Sequence, residues 1–150
     1  MIESAHGSVI VRRTGRLLIP IVQLYAMHVL VFGQFGPGGG FVAGVMIGSS
    51  LIVGLLVVER DHWTRRLADR AMQGDGVGLI IFVGLGGLCM IGGGEYLNYS
   101  SVALPGLEEA RRRYIGILLA QVGVAVDVAV AAISIVLSLA RATAQEMPDA

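Results

Sequence analysis

LLIPIVQLYAMHVLVFGQF (Leu17–Phe35), then GPGGG (Gly36–Gly40), then FVAGVMIGSSLIVGLLVV (Phe41–Val58): this stretch decides the fold. No Asp, Glu, Lys or Arg stands between Arg16 and Glu59. A helix of roughly 18–20 apolar residues crosses a hydrocarbon core about 30 Å thick. The stretch therefore reads as two spanning helices joined by a glycine turn. Two further uncharged or nearly uncharged runs, Gly76–Gly94 and Ile115–Ala140, have the same character. The expected fold is an all-α membrane protein with four transmembrane helices over residues 17–35, 41–58, 76–94 and 115–140. They would form a single membrane domain over residues 1–150.

Composition agrees with this reading. Hydrophobic residues make up 55% of the chain and charged ones 15%, and the mean hydropathy is +0.75; an average soluble domain is about 25% charged. Of the 11 basic and 11 acidic side chains, only Asp127 falls inside an apolar run. Every cation is an Arg, and the net charge of zero gives nucleic acid nothing to hold. Cys89, the single cysteine, lies inside the third run, so no intrachain disulfide can form. Arg12, Arg13 and Arg16 resemble the charged start of a signal peptide. The first run, however, continues into Gln34-Phe35-Gly36-Pro37 without a small-x-small cleavage site and is expected to be retained.

Arginine placement sets the expected orientation. With the N-terminus inside, the cytoplasmic segments would carry Arg12, Arg13, Arg16, Arg60, Arg65, Arg66, Arg70 and Arg141. The other side would carry Arg111, Arg112 and Arg113. The expected topology is N-in and C-in. Glu108 and Glu109 precede the triple Arg at i,i+4 spacing and suggest a short interfacial helix with a solvated charged face. Little chain lies outside the membrane, which points to a subunit of a larger assembly.

Small residues suggest how the helices pack. Gly40, Gly44 and Gly48 recur at four-residue spacing and form a ridge that admits a neighbouring backbone. The third run contains eight glycines, and Gly92-Gly93-Gly94 is expected to end its helix before Glu95. On the fourth, Ala120, Gly123, Asp127, Ala131, Ser134 and Ser138 make a small, weakly polar stripe whose expected partner is another subunit.

Asp127 stands halfway along the fourth run. An ionised carboxylate at mid-membrane costs about 2.5–3.5 kcal/mol on insertion scales, so it must be protonated, paired or beside water. It could bind and release a proton or hold Na⁺; a structural hydrogen bond is the alternative. His28, near the middle of the first helix, could relay a proton or simply bond to a backbone carbonyl. Gln34 suits a cavity wall or an interhelical bond. Glu95, beside Tyr96, Asn98 and Tyr99, suits either an ion path or an interfacial belt. The Pro37–Phe41 turn lacks the Lys-Ser/Thr of a phosphate-binding loop. No His/Cys cluster for a metal and no Ser/His/Asp constellation is present, so neither a cofactor nor enzymatic catalysis is expected.

Val31-Phe32-Gly33-Gln34-Phe35-Gly36-Pro37-Gly38-Gly39-Gly40-Phe41-Val42-Ala43-Gly44 resembles the turn of the B subunit (MnhB/MrpB) of multisubunit Na⁺/H⁺ antiporters. Gly92-Gly93-Gly94-Glu95-Tyr96-Leu97-Asn98-Tyr99 and Gln121-Val122-Gly123-Val124 extend the resemblance over roughly Arg12 to Ala140. It implies a small subunit of a cation/proton antiporter in a prokaryotic plasma membrane. It also implies other membrane subunits as partners, including large antiporter-like ones that carry the main proton-conducting helices. In that family His is frequent at the positions of Phe32 and Gln34, and an acid where Gln121 stands. Those titratable groups are absent here. Asp127 is the available replacement carboxylate, although it lies about 120° from Gln121 around an ideal helix.

Other readings remain open from sequence. Related subunits occur in redox-driven, hydrogenase- or complex I-like membrane complexes, and this chain could serve as their ion module. A stand-alone drug/proton exchanger would want a carboxylate in the first helix, which is missing. A purely structural scaffold is the remaining alternative.

Overall fold

A computed structural model describes residues 9–57, 76–102 and 106–146. Four α-helices follow in order: α1 (Val9–Phe32), α2 (Gly40–Val57), α3 (Val77–Ile91) and α4 (Glu109–Glu146). A 3₁₀ turn, Tyr99–Ser101, lies between α3 and α4. No strand occurs among the described residues. The charged connection Glu59–Asp75, with four of the arginines used for topology, lies outside them.

α1, α2 and α4 are long and apolar enough to cross a membrane. α3 is shorter: its 15 residues rise about 22 Å against a core of about 30 Å. The glycines explain its end. Gly92 caps it, Gly93 adopts a left-handed φ of 82°, and Gly94 N–H returns to the Cys89 carbonyl at 3.2 Å.

α1 begins well before the apolar run. Arg12, Arg13 and Arg16 sit on its first two turns, where long side chains can reach out to the interface. The segment after Gly106 also differs from expectation. Glu109 and the triple Arg form no separate interfacial helix but are the first turns of the 38-residue α4. The Glu109–Arg113 ion pair forms at 2.6 Å and is well exposed, so it adds little stability.

The hairpin turn depends on glycine at two points. Gly39 adopts φ 106°, a left-handed conformation costly for residues with a Cβ. A Cβ on Gly40 would run into the backbone carbonyl of Gln121. From there the ridge continues: a Cβ on Gly44 would lie 2.7 Å from the Ala125 carbonyl, and one on Gly48 would lie 3.2 Å from the Ala129 Cα. α2 thus runs parallel to α4 with backbone against backbone. α1 returns antiparallel to α2, with Gly15 against Val57 and Gly54 against Ile19. α3 runs antiparallel to α4, and Gly78 and Ile81 meet Gly123. The start of α1 and the end of α4 therefore share one end of the bundle.

Burial runs opposite to that of a soluble protein. The inside is small: Ala26, Ala43, Ala120, Ala125 and Ala129 are buried, together with Leu30, Leu85, Cys89 and Ile133. Ile91 (85% exposed), Phe35 (76%) and Leu24 (75%) face outward. Such a surface suits lipid or other subunits. One expectation changes here. The small stripe on α4 is covered at Ala120 and Gly123 by this chain's own α3 and 3₁₀ turn. Only its later part, toward Ser138, lies beyond the reach of α3.

Candidate functional site

α4 carries two of the polar residues singled out by sequence, Gln121 and Asp127, and a helix begins against each. The turn that holds Gln34 folds over Gln121: a Cβ on Gly39 would lie 3.9 Å from its side-chain amide. α2 starts at Gly40, directly on the Gln121 backbone. One and a half turns further along α4, the second residue of α3 meets Asp127. A Cβ on Gly78 would lie 2.6 Å from both the Asp127 Cβ and its amide nitrogen.

The first N–H groups of a helix have no partner within it and carry a partial positive charge. α3 starts from Gly76, which offers no side-chain cap. Asp127 therefore stands beside the first turn of α3. Asp127 is itself half-buried. Helix starts aimed at a mid-membrane anionic group are a recurring device for holding charge inside a bilayer.

Gln121 opens onto a cavity of about 270 Å³, walled by Gly40 of α2, Phe82 of α3, Tyr99 of the 3₁₀ turn, and Ile117, Ala120 and Val124 of α4. Its Oε1 is buried without a hydrogen-bond partner among the described residues, and so is the Nε2 of Gln34. Unsatisfied buried amides of this kind are normally met by water, an ion or another chain. At about 30 Å³ per water the cavity has room for several. Burial, with Cys89 and Tyr96 adding, pushes the Tyr99 phenol above its ordinary pKa, so it remains a neutral hydroxyl at the cavity wall.

The remaining candidates lie elsewhere. His28 is on the outward face of α1, its ring stacked with that of Tyr25 (ring centroids 6.4 Å apart) and tilted against that of Phe32 (4.7 Å). The inward face of that helix is occupied by Ala26 and Leu30. Glu95 is exposed in the loop after α3, at the opposite end of that helix from Asp127. The turn that carries Gln34 thus lies at Gln121, Asp127 stands six residues further along α4 against α3, and His28 and Glu95 lie outside this stretch. Among the described residues no three His, Cys, Asp or Glu converge on a possible metal. A cation at Asp127 would need amides, carbonyls or another chain to complete its shell.

Two participants were not singled out by sequence reasoning: Phe82 and the α3 start at Gly76–Gly78. Gly76-Val77-Gly78 carried a usable signal, since a glycine in the first turn of a membrane helix marks a close approach.

Residues 10–135 match the family model described as a domain related to the MnhB subunit of Na⁺/H⁺ antiporters. The chain is also 26% identical over 100 residues to the B subunit of the Na⁺/H⁺ antiporter of Bacillus subtilis (strain 168). That alignment covers 67% of this chain and 70% of the Bacillus protein.

Proposed function

The chain belongs to the MnhB family, and from that premise we propose that it is a small integral-membrane subunit of an Mrp-type multisubunit Na⁺/H⁺ antiporter. It works in the plasma membrane of a prokaryote, N-in and C-in, beside other membrane subunits that include large antiporter-like ones. It is a transporter subunit and not an enzyme. α3 belongs to a fourth crossing. The membrane-spanning parts act as one domain.

Within that assembly the chain helps form the ion path. The observation that carries this reading is the pair of helix starts, Gly40 and Gly78, set against Gln121 and Asp127 on one stretch of α4. Asp127 is the group that takes up a proton or cation, and the Gln121 cavity supplies polar contact toward one face. The alternative role, a scaffold with no part in transport, predicts that Asp127 matters only for packing.

Exchange of Asp127 separates the two. Asp127→Asn keeps the size and polarity of the side chain, so the complex should assemble. Na⁺/H⁺ exchange in inverted membrane vesicles, read with a pH-sensitive dye, should then be lost or shifted in its pH profile. An assembled Asp127→Asn complex that exchanges normally would remove Asp127 from the path.

A further inference from the structure

The outward face of α1 carries Leu17, Ile21, Leu24, Tyr25, His28 and Phe32, all exposed. His28 stands two residues from the midpoint of the Leu17–Phe35 run, about 3 Å along the helix axis. It therefore lies close to the centre of the bilayer. Among the described residues its ring lies beside those of Tyr25 and Phe32, whose ring faces offer no conventional hydrogen-bond acceptor.

An imidazole has both a donor and an acceptor nitrogen, and hydrocarbon can satisfy neither. Ionisable residues at this depth face protein or water and pair with another group. A second surface of the same chain provides a contrast. The groove of about 480 Å³ between α1, α2 and α4, lined by residues such as Met27, Leu30, Ile47, Leu51, Val126 and Ile133, has no polar side chain in its wall. That groove can meet acyl chains at no cost. The His28 face cannot.

We infer that the outward face of α1 is a docking surface for a transmembrane helix of a different subunit, which presents a hydrogen-bonding side chain, a carboxylate or amide, to His28. Tyr25 and Phe32 flank the imidazole within one turn on either side, and Leu24 and Ile21 extend the apolar contact toward the Arg16 end. The aromatic pair holds the ring in place and keeps the bond away from lipid. This inference rests on the subunit reading above and adds which face of the chain meets its neighbour.

The experiment uses the whole complex, purified through a tag on another subunit. A photo-reactive phenylalanine analogue is placed at Leu24 on this face, and separately at Val126 in the groove as a control. The Leu24 probe should give a covalent product with a different membrane subunit, and the Val126 probe a product with lipid. His28→Leu should reduce recovery of this chain with the tagged subunit about three- to tenfold, as loss of one interhelical hydrogen bond would. Its amount in the membrane should be unchanged. His28→Gln, which can still donate and accept, should restore recovery.

Adducts at Leu24 with lipid alone, or with a second copy of this chain, overturn the inference. Normal recovery of His28→Leu overturns it as well. If the unaltered chain fails to copurify with antiporter subunits, the subunit reading falls and this inference falls with it. If the unaltered chain copurifies but Leu24 meets only lipid, the docking face alone is wrong.

Discussion

Gly78 of α3 and Asp127 of α4 pack so closely that a Cβ on the glycine would lie 2.6 Å from the Cβ of the aspartate. The Asp127 backbone is thereby held against the first turn of α3. Gly78→Ala should displace α3 from α4 and lower exchange even though Asp127 is untouched. Gly84→Ala, on the same helix but with nothing within 4 Å of the added Cβ, should be neutral. Exchange and complex recovery measured for the two variants side by side check this; equal behaviour would mean that the α3–α4 contact does not matter.

Gly40 tests the other helix start. A Cβ there meets the Gln121 backbone, which cannot move without shifting α4. Gly40→Val should cost about 1–3 kcal/mol by overpacking and be seen as a lower yield of folded subunit in detergent. Gly36→Ala, in the same turn with open space around it, should keep the normal yield.

Gln121 separates hydration from packing. Its Oε1 is already without a partner among the described residues, so replacing the amide with an apolar group of similar size removes no Oε1 bond to them. Gln121→Leu should leave recovery of the complex within experimental error and reduce exchange several-fold. Full exchange by Gln121→Leu would show that the cavity carries nothing.

The ends of α4 test the topology. Ala110 and Thr143 are exposed near its two ends, and the native Cys89 is buried. In intact cells a membrane-impermeant maleimide should label Ala110→Cys and leave Thr143→Cys unlabelled until the membrane is opened. The reverse pattern would invert the assigned orientation.

Sequence conveys some of this architecture directly and hides the rest. The hairpin is legible in Pro37–Phe41 because a left-handed Gly39 and a side-chain-free Gly40 leave few alternatives. The ridge at Gly40, Gly44 and Gly48 is legible because small residues at that spacing have one use in a membrane. Helix ends are harder. Hydropathy marks the part of a helix that lies in lipid and not the extent of its hydrogen bonding, so α1 and α4 run further than their apolar runs. α3 runs shorter, because its terminal glycines count as apolar while the backbone turns away. The grouping of site residues is hidden for another reason. His28 and Asp127 lie at similar depth along their helices, but depth does not tell which way a face points. That depends on the Gly15, Ala26 and Leu30 side of α1 meeting the rest of the bundle.

The seam between α2 and α4 has a mechanical consequence. Where helices meet through long side chains, rotamer changes let them slide by small amounts. Gly40, Gly44 and Gly48 leave no such cushion, since backbone meets backbone at Gln121 and Ala125 and nearly so at Ala129. Axial slip would have to carry each glycine over the intervening residue to the next step, about 6 Å away. The two helices consequently behave as one rigid strut. On the proposed reading, motion in a transport cycle is expected to occur around that strut, with the Gln121 backbone kept against the hairpin turn.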